Sequence, residues 1–283
     1  AGNSVREERT FSVNRFGSNY VYSDATAALR GTYLRVPQDV SVTEINVSGL
    51  DDTQTHAELV VNDEVRDLAL GEDVRVEKSD DDGWDATTYT IPAAEFSDDA
   101  YYRLLLSSHD LAGNLSQNLM DGKDADRSGV ASVEFAVDGT APTGGFVGVT
   151  QGAIYFGPDR DALPRASDNM ALGDVQVSMD GGEPVRYDAG QAEAGRMSLV
   201  VPADAHPHDL TIAVRDRAGN VRTQEVRDVM VAADWGQYLL NNPGALFAVV
   251  GGAIATAGLA TIALASAVRH HRMSEGTRNP FGH

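Results

Sequence analysis

One run of uncharged residues constrains this chain more than any other feature of its sequence. Pro243–Val268 contains 26 residues without an acidic or basic side chain. A helix needs about 20 apolar residues to cross a bilayer core, so the run predicts a transmembrane helix. A signal peptide fits poorly, because its charges precede its apolar part. A buried core helix fits poorly too, because at this length it normally keeps a polar face.

The residues on either side of this run predict its orientation. Trp235 and Tyr238 precede it, where aromatic side chains meet a membrane interface, and Arg269 and Arg272 follow it, as on a cytoplasmic flank. We therefore expect a single-pass plasma-membrane protein with its N-terminus outside, at the cell surface. The corresponding segments are a juxtamembrane linker at 233–242, the helix at 243–268 and a cytoplasmic tail at 269–283.

Small residues recur every four positions along the predicted helix. Such a stripe lets two helices approach closely and predicts a homodimer through the membrane segment. The alternative is that Ala and Gly are simply common in this helix. The stripe consists of Gly244, Ala248, Gly252, Thr256 and Ala260.

Charge and cysteine content exclude several classes of function. The chain of 283 residues has a formal net charge of −20, which repels nucleic acid and favours solubility in a crowded or salty exterior. It has no cysteine, which excludes thiol catalysis, cysteine-ligated zinc and disulfide-pinned domains. We expect domains that hold together by core packing alone.

A short motif occurs twice and indicates an internal repeat. Asp-x-Ala-Gly-Asn occupies Asp110–Asn114 and Asp216–Asn220, an offset of 106 residues (110 against 216), and an alternating strand pattern precedes each copy. Gly and Asn tolerate positive φ, and Asp accepts backbone N–H bonds, so the motif predicts a hairpin. A metal ligand or a binding loop is the alternative interpretation of the same Asp and Asn.

The strand pattern around the two motifs predicts two domains. Short runs of alternating apolar residues separated by turn residues are typical of antiparallel sandwiches. The turn-rich segment 138–142 is the predicted boundary. We therefore expect a β-rich domain at 1–139, in which residues 1–40 carry the weakest pattern, and a second sandwich at 140–232. Within 1–40, Asp24–Leu29 is predicted to form a helical turn capped by Ser23.

In the second domain the pattern predicts seven strands and a hairpin turn at Asp180-Gly181. The strands are expected at 145–150, 153–156, 175–179, 184–187, 197–201, 209–215 and 220–231.

Taken together, these motifs resemble tandem bacterial immunoglobulin-like domains. The two Asp-x-Ala-Gly-Asn hairpins, the Asp-Gly-Thr-Ala-Pro joint at 138–142 and the single C-terminal apolar run carry the likeness, and 11–18 (FSVNRFGS) is similar to surface proteins of actinobacteria. The resemblance implies an all-β fold, two immunoglobulin-like sandwiches followed by one transmembrane helix. It also implies a membrane-anchored stalk. The chain lacks a Leu-Pro-x-Thr-Gly sorting signal, so covalent attachment to a wall is not expected.

A search for catalytic patterns yields no enzyme signature. There is no Gly-x-Ser-x-Gly elbow, no Ser-x-x-Lys and no glycine-rich phosphate loop. The pair His206 and His208 flanks Pro207 without a nearby third ligand and is expected to be solvated rather than to bind zinc. We expect a non-enzymatic protein without a cofactor other than a metal ion.

Calcium is the strongest metal candidate. Asp124, Asp126 and Ser128, followed by Gly129, match the start of a calcium loop, although position 12 is Phe135 rather than Glu. Calcium also stiffens tandem domains at their boundary, where Asp138 and Asp168 could contribute ligands. The alternative is that these are ordinary loop residues of an acidic chain.

Three functions follow from this sequence. The first is a membrane-anchored extracellular stalk that displays or spaces an adhesive or binding module, with an unknown extracellular protein or glycan as partner. The second is a viral or archaeal envelope spike, favoured by the sequence pI of about 4.5 and by the excess of Arg over Lys. The third is the C-terminal stem of a larger secreted enzyme.

Overall fold

A computed structural model describes residues 4–8, 13–81, 83–118 and 133–252. The chain divides into two compact units, and three segments form the first: Ala1–Thr143, Ala166–Asp174 and Val214–Arg222. The second unit comprises Gly144–Arg165, Val175–Ala213 and Thr223–His283. The chain therefore returns twice to unit 1 after it has entered unit 2.

Unit 1 begins with a strand, a helical turn and a short second strand. The predicted helix α1 (Asp24–Leu29) is confirmed, and the Ser23 hydroxyl caps it by accepting from the N–H of Thr26. The first three elements are β1 (Asn19–Tyr22), α1 and β2 (Tyr33–Leu34).

Eight further strands follow among the described residues up to Val137. They are β3 (Val40–Asn46), β4 (His56–Val61), β5 (Glu64–Leu68), β6 (Arg75–Asp81), β7 (Trp84–Ile91), β8 (Ala100–His109), β9 (Leu115–Gln117) and β10 (Val133–Val137).

These strands form two sheets that enclose one core. The order is β1-β3-β7-β6 in the first sheet and β2-β10-β8-β4-β5 in the second, where β9 also pairs with β8. Alternate residues of β3 and β8 are buried, as expected for strands that cover a core with one face. The core contains residues of both sheets, among them Val42, Tyr89, Leu59, Leu104 and Phe135.

Unit 2 is likewise built from two sheets. The elements that lie wholly or mostly in it are β11 (Thr143–Val147), β12 (Ile154–Phe156), β13 (Arg160–Ser167), β14 (Leu172–Met179), β15 (Val185–Asp188), α2 (Ala189–Glu193), β16 (Leu199–Val201), β17 (Pro207–Asp216), β18 (Val221–Ala232) and α3 (Trp235–Asn241). The ends of β13, β14, β17 and β18 that fall in Ala166–Asp174 and Val214–Arg222 belong to unit 1. The strand orders are β11-β13-β16 and β12-β18-β17-β14-β15. Ala162 and Val201 from one sheet pack with Leu210, Val229 and Val231 from the other.

All seven strands predicted for the second domain are present, with ends shifted by a few residues. The Asp180-Gly181 turn is also confirmed, since both residues have positive φ, of 54° and 67°. The prediction missed β13, because Pro164 and four charged or hydroxyl side chains obscure its alternation. Pro164 lies beyond Arg160–Ala162, the part of β13 that pairs with β16.

The described residues contain no helix that could cross a membrane. Residues 243–252 are helical, and the remainder of the predicted segment 243–268 lies outside the described residues.

Candidate metal centre

The first Asp-x-Ala-Gly-Asn motif forms a closed turn between β8 and β9, which pair antiparallel as predicted. The N–H of Asp110 donates to the carbonyl of Asn114 at 3.1 Å, and the N–H of Gly113 donates back to the carbonyl of Asp110 at 2.9 Å. Gly113 has a φ of 85°, which a residue with a Cβ adopts only with strain.

Asn114 does not take the positive φ that the sequence allowed it. Its role is instead that of a side-chain donor, because its Nδ2 reaches Asp110 Oδ2 at 2.8 Å.

The second motif repeats this geometry between β17 and β18. Asp216 N–H donates to the Asn220 carbonyl at 3.1 Å, and Gly219, at a φ of 90°, donates to the Asp216 carbonyl at 3.3 Å. Asn220 Nδ2 reaches Asp216 Oδ2 at 2.8 Å, the same distance as in the first turn. Both hairpins are therefore present as predicted, and in both the aspartate side chain accepts from the backbone N–H of the motif asparagine, at 2.8 Å.

Two amides close the first turn. Asn14 Nδ2 and Asn46 Nδ2 donate to the same oxygen of Asp110, at 2.9 and 3.4 Å. Together with Asn114, they give this carboxylate oxygen three amide donors. One buried negative charge is thereby satisfied without a cation.

Aspartates take the place of these two amides at the second turn. Asn14 Oδ1 accepts from the N–H two residues on, at 3.1 Å, and Asp138 Oδ1 does the same at 3.2 Å. The motif asparagine also donates to the backbone carbonyl of each, Asn114 to Asn14 at 3.3 Å and Asn220 to Asp138 at 2.8 Å. Asp138 is therefore the structural counterpart of Asn14.

Asp168 corresponds to Asn46 in the same way. The Asn46 side chain accepts from the N–H of Ser48 at 2.7 Å, and the Asp168 side chain accepts from the N–H of Met170 at 2.9 Å. A carboxylate cannot donate, so neither Asp138 nor Asp168 can satisfy Asp216 as the two amides satisfy Asp110.

The three aspartates converge at one point in unit 1. One carboxylate oxygen from each of Asp138, Asp168 and Asp216 lies within 4.8 Å of the other two. Asp138 and Asp216 are buried, at 0% and 2% exposure, and Asp168 is half-buried. Asp138 Oδ2 and Asp168 Oδ1 are buried atoms with no hydrogen-bond partner among the described residues.

Burial, followed by the charges of Asp168 and Asp216, raises the pKa of Asp138 to about 6. Close carboxylates repel one another, and their desolvation adds to the cost of ionising all three. When all three aspartates are charged, the cluster has no counterpart of the two further amide donors that Asn14 and Asn46 supply at the first turn.

A calcium ion fits this arrangement. Calcium binds oxygen ligands at about 2.3–2.6 Å, so two ligands of one ion lie at most about 5 Å apart, a limit that the three oxygens meet. Three carboxylates are hard ligands, and water or backbone carbonyls can complete the six to eight positions that calcium takes. Each unpaired oxygen would then have a positive partner.

Part of this centre is predictable from the sequence. Asp138 and Asp168 were predicted as possible boundary ligands, and the structure brings them together. Asp216 was predicted mainly as a turn residue, with a metal ligand as the alternative interpretation. Aligning Asn14 with Asp138 and Asn46 with Asp168 would have favoured that alternative. The predicted calcium loop of Asp124, Asp126 and Ser128 lies in 119–132, outside the described residues.

The two histidines of the predicted solvated loop differ from each other. The His206 side chain is 77% exposed, as expected. His208 is buried, and its Nδ1 and Nε2 lie 2.7 Å from Asp180 and 3.1 Å from Asp204. Burial alone would lower the pKa of His208, but the hydrogen bonds to the two carboxylates outweigh it and raise the pKa. His208 was expected to be solvated, and this prediction is wrong because the residue lies inside β17.

An open groove of about 530 Å³ lies on the outer face of the second sheet of unit 1. Ala136 pairs with Tyr33 on one side and Tyr101 on the other, so two rings flank one small residue. The rings meet edge to face at 6.0 Å, and the Arg217 guanidinium lies 5.5 Å from the centre of the Tyr33 ring. This groove joins aromatic surface to polar groups, as small-molecule sites do.

Comparison with known proteins adds likenesses at the level of the fold. The sequence matches no family model and no curated protein. Among solved structures, the chain is similar to Dpr2 Ig1–Ig2 in its complex with DIP-Theta Ig1–Ig3, at 11% identity over 77% of this chain and 67% of that one, with a TM-score of 0.37.

Two further solved structures show a similar likeness. A 1.5-MDa bacterial ice-binding adhesin aligns at 12% identity over 78% of this chain and 67% of that one, with a TM-score of 0.33. A two-domain fibronectin type III segment of chicken tenascin aligns at 11% identity over 74% and 98%, with a TM-score of 0.30. These solved structures contain immunoglobulin-like, fibronectin type III and adhesin domains. At such scores, the all-β fold rests on the sheets described above.

Proposed function

We propose that this protein is a non-enzymatic extracellular stalk, anchored by residues 243–268 and stiffened by calcium at Asp138, Asp168 and Asp216. The observation that carries the proposal is the exchange of two amide donors for two carboxylates around an otherwise identical turn. The exchange makes sense where a cation is always present to bind the site.

The extracellular space is such an environment. Calcium sites of extracellular modules have dissociation constants of about 10⁻⁴–10⁻³ M, which match millimolar calcium outside cells but not the far lower level inside. A calcium-dependent turn therefore supports an exterior location, as do the apolar run and the Arg269 and Arg272 that follow it.

The bound ion would join three segments of unit 1. The covalent chain reaches Asp168 and Asp216 only after it has passed through strands of unit 2. Calcium would hold both returning segments to the end of β10, where Asp138 follows Val137. The bound ion would make it harder for these segments to separate by local unfolding, which a rigid spacer requires.

A glycan is the partner that we propose for this stalk. We place an extracellular glycan in the groove between Tyr33 and Tyr101, because aromatic faces can pack on the apolar face of a sugar ring while polar groups bind its hydroxyls. Asn62 and Glu134 supply such groups. Binding of the full chain to a glycan array, lost in Tyr101→Ala, would support this placement. An array without any bound glycan would refute it.

Topology tests the stalk directly. The full chain is produced behind a secretion signal with an epitope after His283, and intact cells are treated with an impermeant amine reagent. Lys78, whose side chain is 56% exposed, should be labelled, whereas the epitope should be reached only after permeabilisation. A protected Lys78, or release of the protein from membranes by carbonate, would contradict the proposed anchor.

A further inference from the structure

The segment predicted as a juxtamembrane linker, 233–242, is ordered. It forms α3 (Trp235–Asn241), and the Asp234 side chain caps this helix by accepting from the N–H of Gln237 at 2.9 Å. Asn242 then caps the next helix, since its side chain accepts from the N–H of Ala245 at 3.2 Å. Pro243 follows as the first helical residue, a position that suits proline. The chain thus runs from the sandwich into the predicted anchor through two capped helices.

An aromatic cluster fixes α3 to the sandwich of unit 2. Phe156, at the end of the edge strand β12, stacks on Trp235 with ring centroids 4.4 Å apart and an interplanar angle of 26°. Tyr238, one turn further along α3, meets both rings edge to face, at 6.0 Å from Phe156 and 5.7 Å from Trp235. Contacts among these three rings therefore hold α3 against the end of β12.

This aromatic cluster leaves much apolar surface uncovered. Trp235 is 61% exposed and Phe156 is 45% exposed, and on the same helix Leu240 is 76% exposed. Such surface is costly in water, and contiguous exposed patches of this kind mark contact sites. The aromatic cluster lies immediately before 26 uncharged residues, so the neighbour it would meet first is lipid.

We propose that Phe156, Trp235 and Tyr238 lie at the lipid headgroup level and hold the β12 edge of unit 2 against the bilayer. Trp and Tyr favour this layer because each has an apolar body and a polar tip. Only seven residues lie between Trp235 and Pro243, so the rings lie close to the start of the predicted anchor. The inference rests on the proposed membrane anchor and extends the contact with lipid to the sandwich itself.

Tryptophan fluorescence can test this placement, because the chain has only two tryptophans. Trp84 is in β7 of unit 1 and Trp235 is in the aromatic cluster, so Trp84→Phe leaves Trp235 as the sole reporter. The full-length variant is reconstituted in phosphatidylcholine vesicles. Part of the lipid is brominated either near the carbonyl or near the chain end. Carbonate extraction first establishes that the protein stays with the vesicles.

We expect brominated lipid to quench Trp235, more strongly with bromine near the carbonyl than near the chain end. Aqueous iodide should quench it much less than it quenches Trp84 in the reciprocal Trp235→Phe protein. Phe156→Ser should restore iodide quenching of Trp235. Val185→Ser should leave it unchanged, because Val185 is an equally exposed apolar residue on β15, the opposite edge of the same sheet. Circular dichroism establishes that both serine variants are folded.

Two failures would be distinguishable. Protein that carbonate releases from the vesicles refutes the membrane anchor of the proposed function. Protein that stays with the vesicles while iodide quenches Trp235 as strongly as Trp84 refutes only the placement of the aromatic cluster.

Discussion

The turn at Asp110 and the turn at Asp216 share one backbone and differ in what surrounds it. Both close with the same N–H to carbonyl bonds, and in both the motif asparagine donates to its aspartate at 2.8 Å. Around Asp110, Asn14 and Asn46 add two amide donors. Around Asp216, the corresponding residues are Asp138 and Asp168, and one oxygen of each is buried without a partner.

Whether the turn needs a cation therefore depends on whether the neighbouring side chains end in an NH₂ group or in a second carboxylate oxygen. Asn and Asp have nearly the same shape, so the fold accommodates either. An amide donates a hydrogen bond to the central carboxylate, whereas a second or third carboxylate adds another negative charge beside it. The first turn should therefore be stable by itself, and the second should depend on calcium and on pH.

The largest effect is expected from removing the central aspartates. Asp110→Ala deletes the acceptor of five hydrogen bonds and should cost about 3–5 kcal/mol of unfolding free energy. Asp216→Ala should cost less in EGTA, because it also relieves the repulsion with Asp138 and Asp168. Urea unfolding of the detergent-solubilised chain measures both, since both turns belong to unit 1. Equal losses would show that the two turns are electrostatically alike.

The second-largest effect is expected when substitutions give the first turn the carboxylates of the second. Asn14→Asp with Asn46→Asp places three carboxylates around the Asp110 site. In EGTA, this double variant should lose about 3 kcal/mol, because two donors become charges. Calcium at about 10 mM should recover about 1.4–2.7 kcal/mol, as expected at 10–100 times a dissociation constant of about 10⁻³–10⁻⁴ M. A variant that calcium does not stabilise would contradict the proposed correspondence between the turns.

The reverse exchange should produce a smaller, opposite change. Asp138→Asn with Asp168→Asn gives Asp216 the amide donors that Asp110 already has. In EGTA we expect a gain of about 2 kcal/mol, together with loss of the stabilisation by calcium. Asp67→Asn is a useful comparison, because Asp67 is an exposed residue of β5 in the same unit and is not one of the three clustered aspartates. A destabilised double variant would argue against the amide clamp.

The smallest expected effect concerns pH. The pKa of Asp138 is raised to about 6 in the folded chain, so its protonated form favours folding. In EGTA, this residue should add about 1.4 kcal/mol as the pH falls from about 7.5 to about 5, and this contribution is lost as the pH rises through 6. Other carboxylates titrate too, so the quantity to compare is the difference from Asp138→Asn. Identical pH profiles for the two proteins would refute the raised pKa.

Local signals predicted much of the fold. The Ser23 cap and the alternation of the short strands depend on residues that are neighbours in sequence. The positive φ of Gly113 and Gly219 also follows from the local turn motif. The strand β13 was missed because its proline and polar residues conceal a period of two. That Pro164 lies beyond the residues paired with β16 can be recognised only once this partner strand is known.

The candidate site could be predicted only in part, for a related reason. Asp138, Asp168 and Asp216 come from three segments that folding brings together, and no spacing rule links them. Each also has an ordinary local role in a turn, which was a sufficient explanation by itself. The sequence signal for the site lies in aligning the two repeats beyond the five-residue motif. In that alignment Asn14 corresponds to Asp138 and Asn46 corresponds to Asp168.

Calorimetry measures directly whether Asp138, Asp168 and Asp216 bind calcium. Titration of the EGTA-treated full chain should reveal a site with a dissociation constant of about 10⁻⁴–10⁻³ M. The heat from this site should vanish in Asp138→Asn with Asp168→Asn and persist in Asp124→Asn with Asp126→Asn. The absence of heat at millimolar calcium, or heat that only the second pair removes, would contradict a calcium centre at Asp216.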